Sequence, residues 1–300
     1  MAEPLPWCHL NGERLRLSEA RISPLDRSFL FGDGIYEVIP VYDGRLFRAP
    51  AHLARLARSA SAIRLTNPHE PENWIALLQD LIAFNGGGDQ YVYVQLSRGA
   101  EYGRNHAPLP DIVPTVFAYC SPWPVPSAQT LEAGLACITT EDTRWARRDI
   151  KSVALLANVL LRQLAVDAGA AETILLQDGE LMEASASSVH VVSKGVVITP
   201  VNSTRILPGT TRSVVEEILD SLGIPRRSEV VPEALLRNAD EIWLAAATRE
   251  VQPVTTLDGK VVGSGQPGPL WRRVYERYQV LKRSDERSLK SATGLEESAQ

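Results

Sequence analysis

This 300-residue sequence predicts a protein of mixed helices and strands in two parts. Three observations carry that reading. Strand-like pieces and amphipathic helices alternate through residues 7–119. A stiff, proline-rich stretch follows, Ser121-Pro122-Trp123-Pro124-Val125-Pro126-Ser127, which reads as a linker centred in 121–130. Beyond it a long apolar segment leads into a meander of short strands separated by Asp-Gly and Lys-Gly turns.

Taken in order, His9-Leu10 and Arg14–Leu17 flank Asn11-Gly12, a strong hairpin signal. In residues 35–40, Ile35, Glu37 and Ile39 alternate with Tyr36, Val38 and Pro40, a strand with one face toward a cavity. Gly32 and Gly34 precede it but open no helix, so a dinucleotide fingerprint is not indicated. Residues 51–65 and 72–84 read as helices, the first with Arg55 and Arg58 near the edge of its apolar stripe. Strands at 91–96 and 115–119 enclose a long polar loop that holds Arg98, Arg104, Asn105 and His106. In the second part, 135–138 is a strand. Ser152 to about Asp167 is apolar nearly all round and reads as a buried helix ended by Gly169. Strands at 173–176, 181–183, 189–192 and 196–199 follow, then a helix at 212–222 and a strand at 242–244. From Asp285 the chain is polar and aperiodic.

With 44% hydrophobic and 22% charged residues the chain has the composition of a globular protein. A net charge of −5 argues against a nucleic-acid partner, whose affinity would rest on clustered positive charge. No apolar run reaches the length of a membrane span, and no secretory signal is visible, so a cytoplasmic location is expected. Cys8, Cys120 and Cys137 form no CxxC pair, and the histidines show no metal spacing, so neither a disulfide framework nor a metal site is expected.

Only five of the 31 basic residues are lysines, and none precedes Lys151. Lys151 stands in Arg144-Trp145-Ala146-Arg147-Arg148-Asp149-Ile150-Lys151-Ser152, at the mouth of the apolar segment. The first turn of a helix disfavours an ammonium, and partial burial acts the same way, so a neutral amine suited to Schiff-base chemistry is within reach. A lysine snorkelling to the surface fits the same stretch. Gly209-Thr210-Thr211 opens a helix with free N–H groups and two hydroxyls, either an anion site or an ordinary helix start. Glu183 is a lone carboxylate in an apolar, serine-rich meander, placed to pair a protonated pyridine nitrogen or simply to face solvent. Arg104 and His106 are either carboxylate ligands or surface polar residues.

Together, Phe31-Gly32-Asp33-Gly34-Ile35-Tyr36-Glu37, Asp149-Ile150-Lys151-Ser152 and Glu183-Ala184-Ser185-Ala186-Ser187 resemble the class IV aminotransferases of pyridoxal phosphate fold type IV. The likeness runs from about Leu10 to Tyr278 and is greatest to the D-amino acid branch. The resemblance implies a two-domain α+β fold: a small N-terminal domain over 1–120, the linker at 121–130, a large domain over 131–284 carrying the Schiff-base lysine, and a polar tail over 285–300. It implies pyridoxal 5'-phosphate between the domains and a homodimer whose partner chain helps close each site. Lys151 would bind the cofactor covalently and shuttle the proton, and Glu183 would pair the pyridine nitrogen. Arg55, Thr210 and Thr211 would hold the phosphate, with Leu207 and Thr248 among the cofactor contacts. Tyr36, Arg104 and His106 would hold the α-carboxylate. The implied reaction is ping-pong transamination between a D-amino acid and a 2-oxo acid. An (R)-selective amine transaminase, a branched-chain aminotransferase and an aminodeoxychorismate lyase are the neighbouring readings. The chain departs from the family pattern Glu-Gly-Ser-x-Ser-Asn at Ala184 and Ser188. Ala245-Ala246-Ala247 stand where hydroxyl residues are common, leaving Thr248 as the main side-chain donor there.

Overall fold

The computed structural model describes residues 3–123 and 126–284; the polar tail expected at 285–300 lies outside the described residues, as do Pro124 and Val125 of the expected linker. The first part contains β1 (Trp7–Leu10), β2 (Glu13–Arg16), α1 (Arg27–Phe31), β3 (Gly34–Tyr42), β4 (Arg45–Leu46), α2 (Ala49–Ala62), α3 (Pro71–Phe84), β5 (Gln90–Ser97) and β6 (Thr115–Pro122). Its strands form one antiparallel sheet in the order β2-β1-β6-β5-β3-β4. The second part contains α4 (Ala128–Ala133), β7 (Leu135–Glu141), α5 (Leu156–Asp167), β8 (Glu172–Gln177), β9 (Glu180–Ala184), β10 (Ser188–Ser193), β11 (Val196–Thr199), α6 (Thr210–Ser221), β12 (Arg226–Ser228), α7 (Glu233–Arg237), β13 (Glu241–Ala246), β14 (Glu250–Leu257), β15 (Lys260–Val261) and α8 (Pro269–Leu281). They build a nine-stranded sheet ordered β12-β11-β10-β13-β14-β7-β8-β9, with β15 on β14. Most pairs are antiparallel, while β7 runs parallel to both β14 and β8, and β12 parallel to β11. Among the described residues, no helix is long and apolar enough to cross a membrane.

The period of two in β3 sorts its side chains to two destinations. Ile35, Ile39 and Val41 enter a core shared with Leu53 and Leu56 of α2 and Leu78 and Ile82 of α3. Glu37 points the same way, which makes it a carboxylate with no exposure at all. Its Oε1 accepts Arg55 Nε at 2.7 Å and its Oε2 accepts Arg55 Nη2 at 2.8 Å. His52 Nδ1 lies 2.8 Å from Oε2. Arg55 therefore belongs to the buried face of α2, not to its edge. Burial pushes the Glu37 carboxyl up, but the adjacent guanidinium more than reverses this and holds it far below the carboxylate range. Burial also keeps His52 below its usual value, against the pull of Glu37.

The end of β3 meets the second part of the chain. Tyr42 and Phe47 join a second core with Val214 and Ile218 of α6, Trp243 of β13, and Trp271 and Tyr278 of α8. At its edge Glu250 is 3% exposed and takes Tyr42 Oη at 2.8 Å, Gln279 Nε2 at 2.6 Å and Lys282 Nζ at 2.6 Å. One carboxylate thus ties β3, β14 and the end of α8 together.

The apolar segment after Lys151 departs from the buried helix that its composition predicts. Residues 151–153 are tied to a strand: Tyr36 N donates to Lys151 O at 3.0 Å and Val153 N donates to Gly34 O at 3.0 Å, and Ile35 and Ser152 form a bridge. Backbone committed to β3 cannot also be helical, so α5 starts at Leu156 and Lys151 is not in its first turn. Within α5 only Leu161 and Ala165 are buried, whereas Leu156, Val159 and Leu160 are 72%, 61% and 60% exposed.

Glu250→Ala strands three donors, and about 3 kcal/mol of stability should be lost, read as a lowered urea midpoint with unchanged slope. Glu250→Gln should lose less. Glu37 has a depressed pKa in the folded state. Its contribution is present in full above the unfolded carboxylate value of about 4.3 and is lost as pH falls from there toward the folded value. The gap in urea midpoint between the wild type and Glu37→Gln should be widest at neutral pH and narrow steadily in acid.

Candidate active site

A cavity of about 480 Å³ opens between the two sheets. From the first part come Tyr36 and Arg55; from the second come Lys151, Glu183, Leu207, Thr210, Thr211 and Thr248. Eight of the ten residues singled out in the sequence therefore line one space. The other two, Arg104 and His106, do not. They lie on an exposed loop beside Phe31, with the Arg104 guanidinium 5.1 Å from that ring's centroid and the His106 ring 5.6 Å away.

Lys151 is placed by its backbone rather than by a helix. The bonds to Gly34 and Tyr36 fix its carbonyl side, and its own N–H donates to Ser59 Oγ of α2 at 3.2 Å. Gly32 makes the junction with the lysine segment. It has φ 69°, and a Cβ there would stand 3.0 Å from Ala154 Cβ, so glycine suits both the left-handed turn and the close approach. The Lys151 ammonium lies 4.2 Å from the centroid of the Tyr36 ring, and no hydrogen bond or ion pair to its Nζ is formed among the described residues. The lysine Nζ thus stands in the cavity without a carboxylate partner, placed to meet a carbonyl there.

Arg55 closes one end of the cavity. Two of its N–H groups are spent on Glu37, and a third donates to Pro208 O at 2.9 Å, which leaves two of five. Pro208 leads through Gly209 into α6, where Thr210 and Thr211 are the first helical residues, both buried. Gly209 supplies no side-chain cap. A Cβ at Gly209 would meet Ser188 Oγ at 2.5 Å, so this turn packs directly on the start of β10. A helix start, two hydroxyls and a guanidinium with free donors form an anion site.

Glu183 closes the other end. It is buried at the end of β9, and is not the solvated strand residue that its period-2 setting also allowed. Its Oε1 accepts Arg144 Nη1 at 2.7 Å and its Oε2 accepts Leu207 N at 3.1 Å. Burial pushes the Glu183 carboxyl up against the pull of Arg144. Arg144 is itself gripped by Asp142, through Nε at 3.0 Å and Nη2 at 2.7 Å. In the sequence Arg144 stands only as part of a short basic patch. Nothing in the local pattern says that the loop after β7 meets β9.

The departures from the family pattern are mild in space. Ala184 does not have a positive φ, so it suffers no backbone strain. Ser187 Oγ lines the cavity, is buried and has no hydrogen-bond partner among the described residues, so a polar donor faces this space unspent. With an unpaired lysine Nζ, an anion site and a buried carboxylate lining one cavity, the donor set fits a phosphorylated pyridine aldehyde.

The family model for amino-transferase class IV matches residues 34–257. A D-alanine aminotransferase of Staphylococcus aureus (strain MSSA476) is 40% identical over 272 residues, covering 90% of this chain and 95% of that protein. Among solved structures, the branched-chain amino acid aminotransferase of Escherichia coli superposes with a TM-score of 0.89 at 26% identity, over 94% of this chain and 97% of that one. A branched-chain amino acid aminotransferase of Thermoproteus uzoniensis, solved with norvaline, gives a TM-score of 0.83 at 25% identity, over 94% and 97%. With the family match spanning both sheets and every wall of the cavity, the chain belongs to the class IV aminotransferases and has their two-part α+β, type IV fold.

Proposed function

We propose that this aminotransferase moves an amino group between a D-amino acid and a 2-oxo acid, with pyridoxal 5'-phosphate as cofactor, by a ping-pong cycle. The observation that carries the reading is the Lys151 amine, unpaired and set between an anion site and a buried carboxylate. The D-amino acid assignment is supported by the 40% identity to a D-alanine aminotransferase, against 25–26% to the branched-chain enzymes of the same fold.

The cofactor, when bound, supplies an aldehyde that takes up nitrogen and a ring that draws electrons from the substrate's α-carbon. The chain supplies the rest. Arg55, Thr210 and Thr211 bind the phosphate, with Leu207 and Thr248 against the cofactor. Glu183 would keep a proton on the ring nitrogen by offering it a buried carboxylate. Lys151 Nζ would take up and return the proton that leaves the substrate's α-carbon. Tyr36, Arg104 and His106 hold the α-carboxylate.

Because Arg104 and His106 lie outside the cavity of their own chain, that last role needs a second copy. The exposed apolar face of α5 supports a homodimer: Val159 lines the cavity mouth together with Trp145, and both are exposed. The two sheets support domains at 1–120 and 131–284 joined through 121–130, although β6 extends to Pro122 and α4 begins at Ala128. Cys8, Cys120 and Cys137 are free and buried, which supports the reducing cytoplasm as its location.

The test is the visible absorbance of the cofactor-loaded protein. Addition of D-alanine should bleach the band and 2-oxoglutarate should restore it, while L-alanine leaves it unchanged. Lys151→Ala should lose turnover by at least about 10²–10⁴-fold. Bleaching by L-leucine alone would replace this reading with the branched-chain one, and pyruvate release from aminodeoxychorismate without an oxo-acid acceptor would replace it with the lyase.

A further inference from the structure

Arg27 is buried in the short helix α1 and is not a wall of the cavity, yet its guanidinium is spent on four separate partners. Its Nε donates to Asp33 Oδ2 at 2.9 Å, and its Nη1 pairs with Glu101 Oε1. Two further bonds leave the charge cluster. Nη1 reaches Asn105 O at 2.7 Å and Nη2 reaches His106 O at 2.9 Å. Glu101 adds a second clip, accepting Leu109 N at 3.0 Å through Oε2. The loop from Tyr102 to Asp111 is exposed throughout, so its own packing does not set its shape. The guanidinium of Arg27 sets it. The same guanidinium stands 4.6 Å from the Phe31 ring centroid, and Phe31 is the ring that Arg104 and His106 also flank.

We propose that Arg27, with Phe31 as its platform, is the positioning residue for substrate-carboxylate recognition: it fixes the backbone at Asn105 and His106 and so decides where Arg104 and His106 present their donors. The inference deepens the functional reading above and rests on its assignment of Arg104 and His106. Its physical content is preorganisation. Two long side chains on an exposed loop lose rotamer freedom on gripping a carboxylate, and a loop already pinned at two carbonyls loses less. A guanidinium suits the task because its planar fork serves two carbonyls and two carboxylates at once, which an ammonium cannot.

The test compares cofactor-loaded full-length wild type with Phe31→Leu and Arg27→Lys. Phe31 is only half-buried, so its replacement keeps the fold if the charge cluster tolerates no change at Arg27. The probe is propionate, an unreactive carboxylate, titrated against the visible band; cofactor affinity is measured in parallel on the apoprotein. Propionate Kd and the KM for D-alanine should rise together by about tenfold, kcat should fall by less than about threefold, and cofactor affinity should be unchanged. In a background lacking both donors, Arg104→Ala with His106→Ala, Phe31→Leu should add little, since it acts through those two side chains. Wild-type propionate affinity in both variants would overturn the proposal, as would a parallel loss of cofactor affinity or a wild type indifferent to propionate. If D-alanine fails to bleach the wild type, the amino-acid reading falls, and the propionate titration still decides the role of Arg27 and Phe31.

Discussion

Arg55 sits almost without exposure between the two sheets, and a guanidinium is tolerable there only because Glu37 takes two of its N–H groups. Removing a charge from water costs several kcal/mol unless a partner and further hydrogen bonds replace the lost hydration. Glu37 is the partner, and Pro208 O is the further bond. That third bond makes the pair architectural as well as electrostatic, because it carries the reach of α2 across to the turn that starts α6. The anion site therefore has one wall from α2 and one from the start of α6, joined by the bond from Arg55 to Pro208 O. Had Arg55 faced solvent, it would still carry charge, but nothing would fix its distance from Thr210 and Thr211.

The far end of the cavity repeats the arrangement with the signs placed differently. There the carboxylate, Glu183, lines the cavity together with its own partner, Arg144, which Asp142 steadies. The anion site thus presents a cation backed by a carboxylate, while at Glu183 the carboxylate and its cation both line the cavity. In the same cavity the Nζ of Lys151 rests on the Tyr36 ring.

Much of this is visible in the residues themselves, and the boundary is physical. The alternation in β3 separates a core face from a cavity face because strand geometry forces neighbours to opposite sides. Lys151 stands out because arginine supplies nearly all other positive charge. Apolar composition, however, does not say what will cover a surface. The segment after Lys151 reads as core, but α5 begins only at Leu156 and leaves Leu156, Val159 and Leu160 exposed on this chain. Nor does local pattern report meetings between distant segments. Arg144 finds Glu183 across 39 positions, Tyr42 finds Glu250 across 208, and Lys282 finds the same Glu250 across 32. Glu183 stands out locally as a lone carboxylate and Glu250 does not stand out at all, and only the assembled sheets show that both are buried and what they pair with.

The stretch from Phe31 to Glu37 shows why a motif that resembles a weak GxG signal carries so much. Phe31 stands beside Arg27 and Arg104. Gly32 admits Ala154, and Asp33 takes Arg27 and Arg98 at 2.9 and 2.7 Å. Gly34 gives its carbonyl to Val153, Tyr36 lies under Lys151, and Glu37 holds Arg55. Successive residues thus serve the loop of Arg104 and His106, the lysine segment and Arg55 in turn. A strand can do this because its side chains leave on alternate faces every few ångströms, so a change of one position in register would exchange the buried carboxylate for the Tyr36 ring. The chemistry of the cavity is fixed less by any one side chain than by the register in which this strand enters its sheet.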